Sequence, residues 1–523
     1  MTPCASPTVG SALSASPSRG LIRSMLIIGS TQAVNVLIAI LRMKVLAILL
    51  GPAGVGLLGI YNNLQSTVST AAGLGMRSSG VRELASTKAG ETALSRVRVV
   101  LFAAHLIQGA IAMVAVWLLR DRLAEWLLGS TEQSTEVGLV GLAALLTLLA
   151  SSQTALLQGL RRIGDLGRVT VYGALAGTAA GLLAVWLEGE NGLIWFVLAQ
   201  PLTAVMVAYV FTRRLPRPIA TQMSLGDVWT VWRPMATLGA VFMLGGLATT
   251  ATLLLVRGLI ARDLGLEAAG LFAASWGVTI QYVGFLLTAM SADYYPRLAG
   301  VINDRDTAAR LMNDQIQLCL TLGGPLLLLL IGLAPWVLML LYSADFTSAT
   351  EMLQWQTVGN FFKLASWPLG FALIASARSG LYLAVELLWN GLFLGLLHLG
   401  LPSVGLTMAG TAFFAAYVIH FAFLAFLVHS QYGFRWELLS LRLFAVFAVL
   451  ILLLFGIARM SPAAGAATSI VLALATGAAG LRIVVTKIGP TGRAAGAVAR
   501  VYAAFGWPIA DHDTGGSQRR NDG

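Results

Sequence analysis

Five cations stand inside long apolar stretches of this 523-residue chain: Arg42, Lys44, Arg77, Arg257 and Lys363. A cation at the centre of a membrane helix costs about 2.5–3.5 kcal/mol even on the most lenient scale. Such a residue faces a wet cavity or a partner. Arg offers paired N–H donors that match phosphate, and Lys offers a point charge. Only two carboxylates, Asp293 and Glu386, share such surroundings. This balance of sign favours an anionic ligand that is partly compatible with lipid. The two acids are the candidates for exchanging a proton or a sodium ion.

Uncharged polar residues fall on the same helical faces. At 100° per residue, Asn35 shares an arc with Arg42, and Asn62 with Arg77. Gln356, Asn360 and Lys363 form another stripe, as do Ser275, Thr279, Tyr282 and Asp293, and Tyr382, Glu386 and Asn390. The candidate anion-binding set is therefore Arg42, Lys44, Arg77, Arg257, Lys363, Asn35, Asn62, Gln356 and Asn360. Each member has a competing structural reading. The small polar groups fit helix packing, Arg42, Lys44 and Arg77 lie within reach of a surface by snorkelling, Arg257 can pair with Asp263, and Lys363 can form a buried pair with Glu386 or Asp293. His420 is a further candidate proton site. No Ser/His/Asp set, metal-ligand spacing or phosphate-cradling Gly-rich loop ending in Lys-Ser/Thr is present, so no catalytic residue, metal or cofactor is expected.

The elements that carry these residues follow from composition. The chain is 57% hydrophobic and 11% charged, against about 25% charged in soluble domains. A soluble domain is excluded. Cys4 and Cys319 are too far apart in sequence to suggest a disulfide framework. A spanning helix needs about 20 apolar residues, and the runs predict about 14 spans in an all-α polytopic membrane protein. Twelve lie near 22–49, 54–82, 97–119, 137–159, 168–187, 192–212, 232–261, 267–296, 312–342, 351–377, 380–399 and 404–430. An extra pair follows at 440–458 and 466–486. Continuous apolar runs exclude a barrel of alternating strands.

The net charge of +11 bears on orientation rather than on nucleic acid. With the N-terminus in the cytoplasm, 25 basic residues fall on cytoplasmic segments and 4 on outer loops. Both termini are then cytoplasmic.

The chain also repeats. Gly51-Pro-Ala-Gly-Val-Gly-Leu57 aligns with Gly265-Leu-Glu-Ala-Ala-Gly-Leu271 at an offset of 214 residues, and Met76 with Met290 and Leu84-Ala85 with Leu298-Ala299 follow without a gap. Arg42 and Arg257 precede the two blocks, one position off register. Two parallel six-helix lobes result, 21–212 and 232–430, joined by a basic linker at 213–231. The extra pair occupies 431–490. Tails at 1–20 and 491–523 complete the expected organisation, the first disordered and the second cytoplasmic.

Leu41-Arg-Met-Lys-Val-Leu-Ala-Ile-Leu-Leu-Gly-Pro-Ala-Gly-Val-Gly-Leu57 and Gly73-Leu-Gly-Met-Arg-Ser-Ser-Gly-Val-Arg-Glu-Leu-Ala85 resemble the start of bacterial O-antigen and oligosaccharide flippases. These belong to the multidrug/oligosaccharidyl-lipid/polysaccharide exporter superfamily. The resemblance implies two six-helix lobes around a central cavity and alternating access. It implies a flippase, not an enzyme, that moves undecaprenyl-pyrophosphate-linked glycan across the bacterial inner membrane for lipopolysaccharide or other polysaccharide biosynthesis. Its partners would be membrane lipids and polysaccharide polymerase and export machinery. By position and chemistry, Arg42, Arg77, Arg257 and Lys363 would hold the pyrophosphate. Fourteen spans, rather than the twelve of many such flippases, are shared with peptidoglycan-precursor flippases. A drug/cation antiporter and a membrane glycosyltransferase or polymerase are the other readings. The cation excess opposes the former and the short loops oppose the latter.

Overall fold

The computed structural model describes residues 17–86, 91–215, 223–488, 500 and 502. Most of the expected tails 1–20 and 491–523, and residues 216–222 of the expected linker, lie outside these. The described residues form fifteen α-helices and short 3₁₀ turns, with no strand among them. Eleven helical stretches are long and apolar enough to cross a membrane. Three of them, of 45, 50 and 53 residues, are each long enough for two crossings, which accounts for the fourteen expected spans.

The first expected pair of spans is one long helix, α1 (Pro17–Gly73), bent at Gly51 where φ is 62° and ψ −166°. Pro52 restarts the helix just beyond the bend, a position that needs no backbone donor. The second span ends earlier than expected. Leu74 and Gly75 take positive φ values of 46° and 62°, and a separate helix, α2 (Met76–Ser86), follows. A short helix at Arg120–Leu128 (α4) lies between α3 (Glu91–Leu118) and α5 (Ser134–Gly159), where a loop was expected.

The chain divides into two compact units. The first comprises the described residues of Met1–Arg42, Val68–Leu119 and Thr135–Met243. Within it α6 (Ile163–Glu188) packs closely on α7 (Gly192–Thr212). Gly173, Gly177 and Gly181 form one stripe on α6, and a Cβ at each would meet Ala204, Thr203 or Phe196 of α7. Without a hydrophobic drive between helices in lipid, such close backbone approach supplies the packing. At α2, Ser79 donates to the Met235 carbonyl at 2.8 Å, on α8 (Leu225–Leu264).

The second unit comprises Met43–Thr67, Arg120–Ser134 and the described residues of Leu244–Gly523. It therefore includes the middle of α1, which the expected lobe boundaries assign to residues 21–212. The repeat explains why. Gly51 and Gly265, matched at the offset of 214, both break their helices with positive φ, 62° and 89°. Beyond them α1 crosses α9 (Leu266–Val301). A Cβ at Gly56 would lie 2.2 Å from the Leu266 carbonyl oxygen, and one at Gly270 would lie 1.7 Å from that of Pro52. Pro52 and Leu266 are themselves matched positions, as are Gly56 and Gly270, so the crossing is reciprocal.

At the centre of this unit is α10 (Arg305–Leu341), around which Leu327, Ile331, Phe361, Leu369, Phe447 and Ile451 form a continuous core. The extra pair, α14 (Leu438–Met460) and α15 (Pro462–Ile488), docks directly on it. Gly324 faces Phe447 of α14, and Gly332 faces Ser469 of α15.

Candidate functional site

Three helices of the second unit build a cavity of about 180 Å³. They are α11 (Thr350–Ala375), α12 (Ser379–Val404) and α13 (Met408–Tyr432). Helical spacing places the lining. Lys363 and Trp367 are four apart on α11, Tyr382, Glu386 and Trp389 share a face of α12, and Tyr417, His420 and Leu424 share a face of α13. The Lys363 Nζ lies 5.5 Å from the centre of the Tyr417 ring, within cation–π reach. Tyr417 packs against Trp389 at 5.0 Å and against the His420 ring at 5.9 Å. Tyr382 and Glu386, one turn apart on α12, share the lining with Lys363. His420 is 7% exposed, and its Nδ1 has no hydrogen-bond partner among the described residues. The cavity can thus hold a small charged or polar species between an ammonium, a carboxyl and an imidazole.

The register of α11 is set one and two turns away. Gln356 is fully buried, and its Oε1 accepts from Ser275 at 2.6 Å and Thr279 at 2.7 Å. Asn360 donates from Nδ2 to the Tyr282 hydroxyl at 3.0 Å and the Thr279 carbonyl at 3.3 Å. These two members of the expected anion-binding set join α11 to α9, and their spacing holds Lys363 at the cavity.

The remaining expected residues take other places. Arg257 donates from Nη1 to the Gly59 carbonyl at 2.6 Å. A Cβ at position 59 would lie 2.6 Å from that same nitrogen. The guanidinium is therefore bound into the α1–α9 crossing, not paired with Asp263, which instead meets Arg262 at 3.0 Å. Lys44 donates to the Met339 carbonyl at 2.8 Å, in the last turn of α10, where a cation complements the helix end. In the first unit, Arg42 lies 5.8 Å from the Phe196 ring centre. Asn35 is half-buried, and Asn62, in the second unit, is exposed. Arg77 is exposed in the first turn of α2, a helix separate from the span expected to carry it. Asp293 is exposed and pairs with Arg297 at 3.1 Å, one turn along α9. It is held at a surface ion pair, whereas Glu386 enters the cavity. Of the two acids, the structure brings only Glu386 to an expected cation.

Trp389 and Tyr417 complete the cavity and were absent from the expected set. Tyr417 precedes His420 by three residues, as Trp389 follows Glu386 by three. That spacing was the available signal, masked because aromatic residues in a span read as apolar surface.

The fold defines a class of protein. It superimposes on the "Lipid II flippase MurJ, inward closed conformation" with a TM-score of 0.63, 12% identity, and coverage of 89% of this chain and 100% of that chain. An inward-facing multidrug resistance MATE family transporter of the MOP superfamily matches with a TM-score of 0.60 and 14% identity, over 78% of this chain and 98% of that chain. The chain shares the all-helical fold of these two structures.

The sequence places it more closely. The chain belongs to the polysaccharide biosynthesis protein family, whose model matches residues 45–351, more than half of its length. It is 24% identical to the Lipid III flippase of Escherichia coli (strain K12) over 385 residues, covering 72% of this chain and 91% of that protein.

Proposed function

We propose that this protein is a flippase that moves a polyprenyl-pyrophosphate-linked oligosaccharide from the cytoplasmic to the periplasmic leaflet of the bacterial inner membrane. Its product would feed assembly of a cell-surface polysaccharide such as O-antigen, capsule or exopolysaccharide, in company with polymerase and export machinery. The observation that carries this reading is the match across 91% of the Lipid III flippase. A likeness of that extent embraces the whole transport unit rather than one segment of it. The excess of cations over acids within the spans supports a pyrophosphate-bearing substrate and opposes a cationic drug.

In this reading the two lobes, 21–212 and 232–430, alternate access to a central substrate site, and both termini are cytoplasmic. No cofactor is required. Coupling is assigned to the cavity of α11, α12 and α13. The exchanged species would be a proton or a sodium ion at Glu386, with His420 in the same lining.

The test is native mass spectrometry of the purified protein with undecaprenyl-pyrophosphate-linked sugar, lipid-linked peptidoglycan precursor and a cationic dye in competition. Preferential retention of the first supports the proposal. Preferential retention of the precursor reassigns the substrate, and retention of the dye alone replaces the flippase with a drug antiporter.

A further inference from the structure

A second cavity, of about 480 Å³, lies wholly within the first unit, between α3, α5 and α7. That volume falls among typical ligand sites of about 300–1,000 Å³. It sits at one membrane level. The start of α3 and the ends of α5 and α7 meet there, which is the end of the spans where basic residues concentrate. Its walls are apolar, formed by Val99, Phe102, Leu149 and Val205. Two cations, Arg98 and Arg213, join the lining, and among the described residues no carboxylate does. Arg213 is exposed at the C-cap of α7. Thr212 beside it donates to Gln153 Oε1 at 3.2 Å, which fixes α7 against α5 at this level. Val99 and Phe102 are partly open at the rim, at 39% and 43% exposure.

A cavity with a cationic mouth and apolar walls matches an amphiphile with an anionic head. A basic pocket between membrane helices on the cytoplasmic side has the chemistry to bind a lipid phosphate. We infer that this cavity binds one anionic phosphoglyceride of the cytoplasmic leaflet, its phosphate between Arg98 and Arg213 and part of an acyl chain along Val99, Phe102, Leu149 and Val205. Arg supplies the paired donors for the phosphate oxygens. The occupant is a resident lipid rather than cargo, because the site lies at a single leaflet and a translocated headgroup must leave that level. The inference is independent of the proposed transport substrate.

The experiment offers the purified full chain equimolar phosphatidylglycerol, phosphatidylethanolamine and undecaprenyl phosphate, and reads bound lipid by native mass spectrometry. The expected result is selective retention of one phosphatidylglycerol. Affinity falls roughly 30-fold in the Arg98→Gln/Arg213→Gln variant, from the loss of two interfacial cations. Arg442→Gln, in the other unit, leaves retention unchanged. Ala103→Trp, which fills the cavity and keeps both cations, also removes the lipid. That variant carries the test if the double variant does not accumulate. Equal retention of phosphatidylethanolamine overturns the inference, as does unchanged retention in both cavity variants. Preferential retention of undecaprenyl phosphate overturns it too, and gives the cavity to the transported lipid.

Discussion

Arg257 and Lys363 are two intramembrane cations of one compact unit, and the sequence alone ranks them together. Their surroundings separate them. Arg257 donates to the backbone of Gly59 at 2.6 Å within a glycine-tight helix crossing. Lys363 stands at a cavity, with an aromatic ring at 5.5 Å and a carboxyl in the same lining. A buried cation that donates to the backbone of a neighbouring helix ties the two helices together. One that faces a void keeps its donors for a ligand or a proton. The contrast divides the expected anion-binding set into residues bound to neighbouring backbone and residues that face a cavity.

The largest expected effect falls at the helix crossing. Gly270→Val sets a branched side chain where even a Cβ would lie 1.7 Å from the Pro52 carbonyl oxygen. No rotamer relieves a backbone clash. Thermal unfolding in detergent should drop by about 10 °C or more. A midpoint within 2 °C of wild type would show that the crossing is open in solution.

On the cavity side, Lys363→Gln should slow flipping in reconstituted vesicles by about 10- to 100-fold, the worth of one charge-assisted hydrogen bond. Its melting midpoint should stay near wild type. Glu386→Gln should abolish the response to an imposed pH or sodium gradient and leave substrate retention intact. Full flipping by a Lys363→Gln/Glu386→Gln variant would end the assignment of coupling to this cavity.

Arg257→Lys gives the converse signature. The shorter donor cannot reproduce the reach to Gly59, so unfolding should fall by about 5 °C, with substrate retention preserved per folded molecule. Lost retention at an unchanged midpoint would move Arg257 from helix crossing to ligand site.

The smallest effect lies at a helix end. Asp304 caps α10, accepting from the Thr307 N–H at 3.3 Å and its hydroxyl at 2.6 Å. These bonds hold its carboxyl below the usual carboxylate range. A depressed folded value means the cap stabilises above the unfolded pKa of about 3.9 and fades as pH falls through the folded one. Asp304→Ala should lower the midpoint by about 1–2 °C at pH 7. The gap from wild type should close as pH falls through the depressed folded value.

Much of this protein is legible in its sequence. Runs of about 20 apolar residues fix the number of crossings, because the bilayer sets helix length. The repeat at 214 residues located the glycines that break and cross α1 and α9, since a backbone contact tolerates no side chain at either position. Cost per buried charge marked Lys363 and Glu386 together with four further cations and Asp293. What sequence could not decide is what each buried polar group faces. Helical periodicity gives a face and not the neighbour on it. Gln356 and Lys363 share a stripe of α11, yet one meets Ser275 and Thr279 and the other a cavity. The same limit hid Trp389 and Tyr417 and the basic-mouthed cavity between α3, α5 and α7. Each depends on contacts between residues distant along the chain, and only the packed helices set those distances.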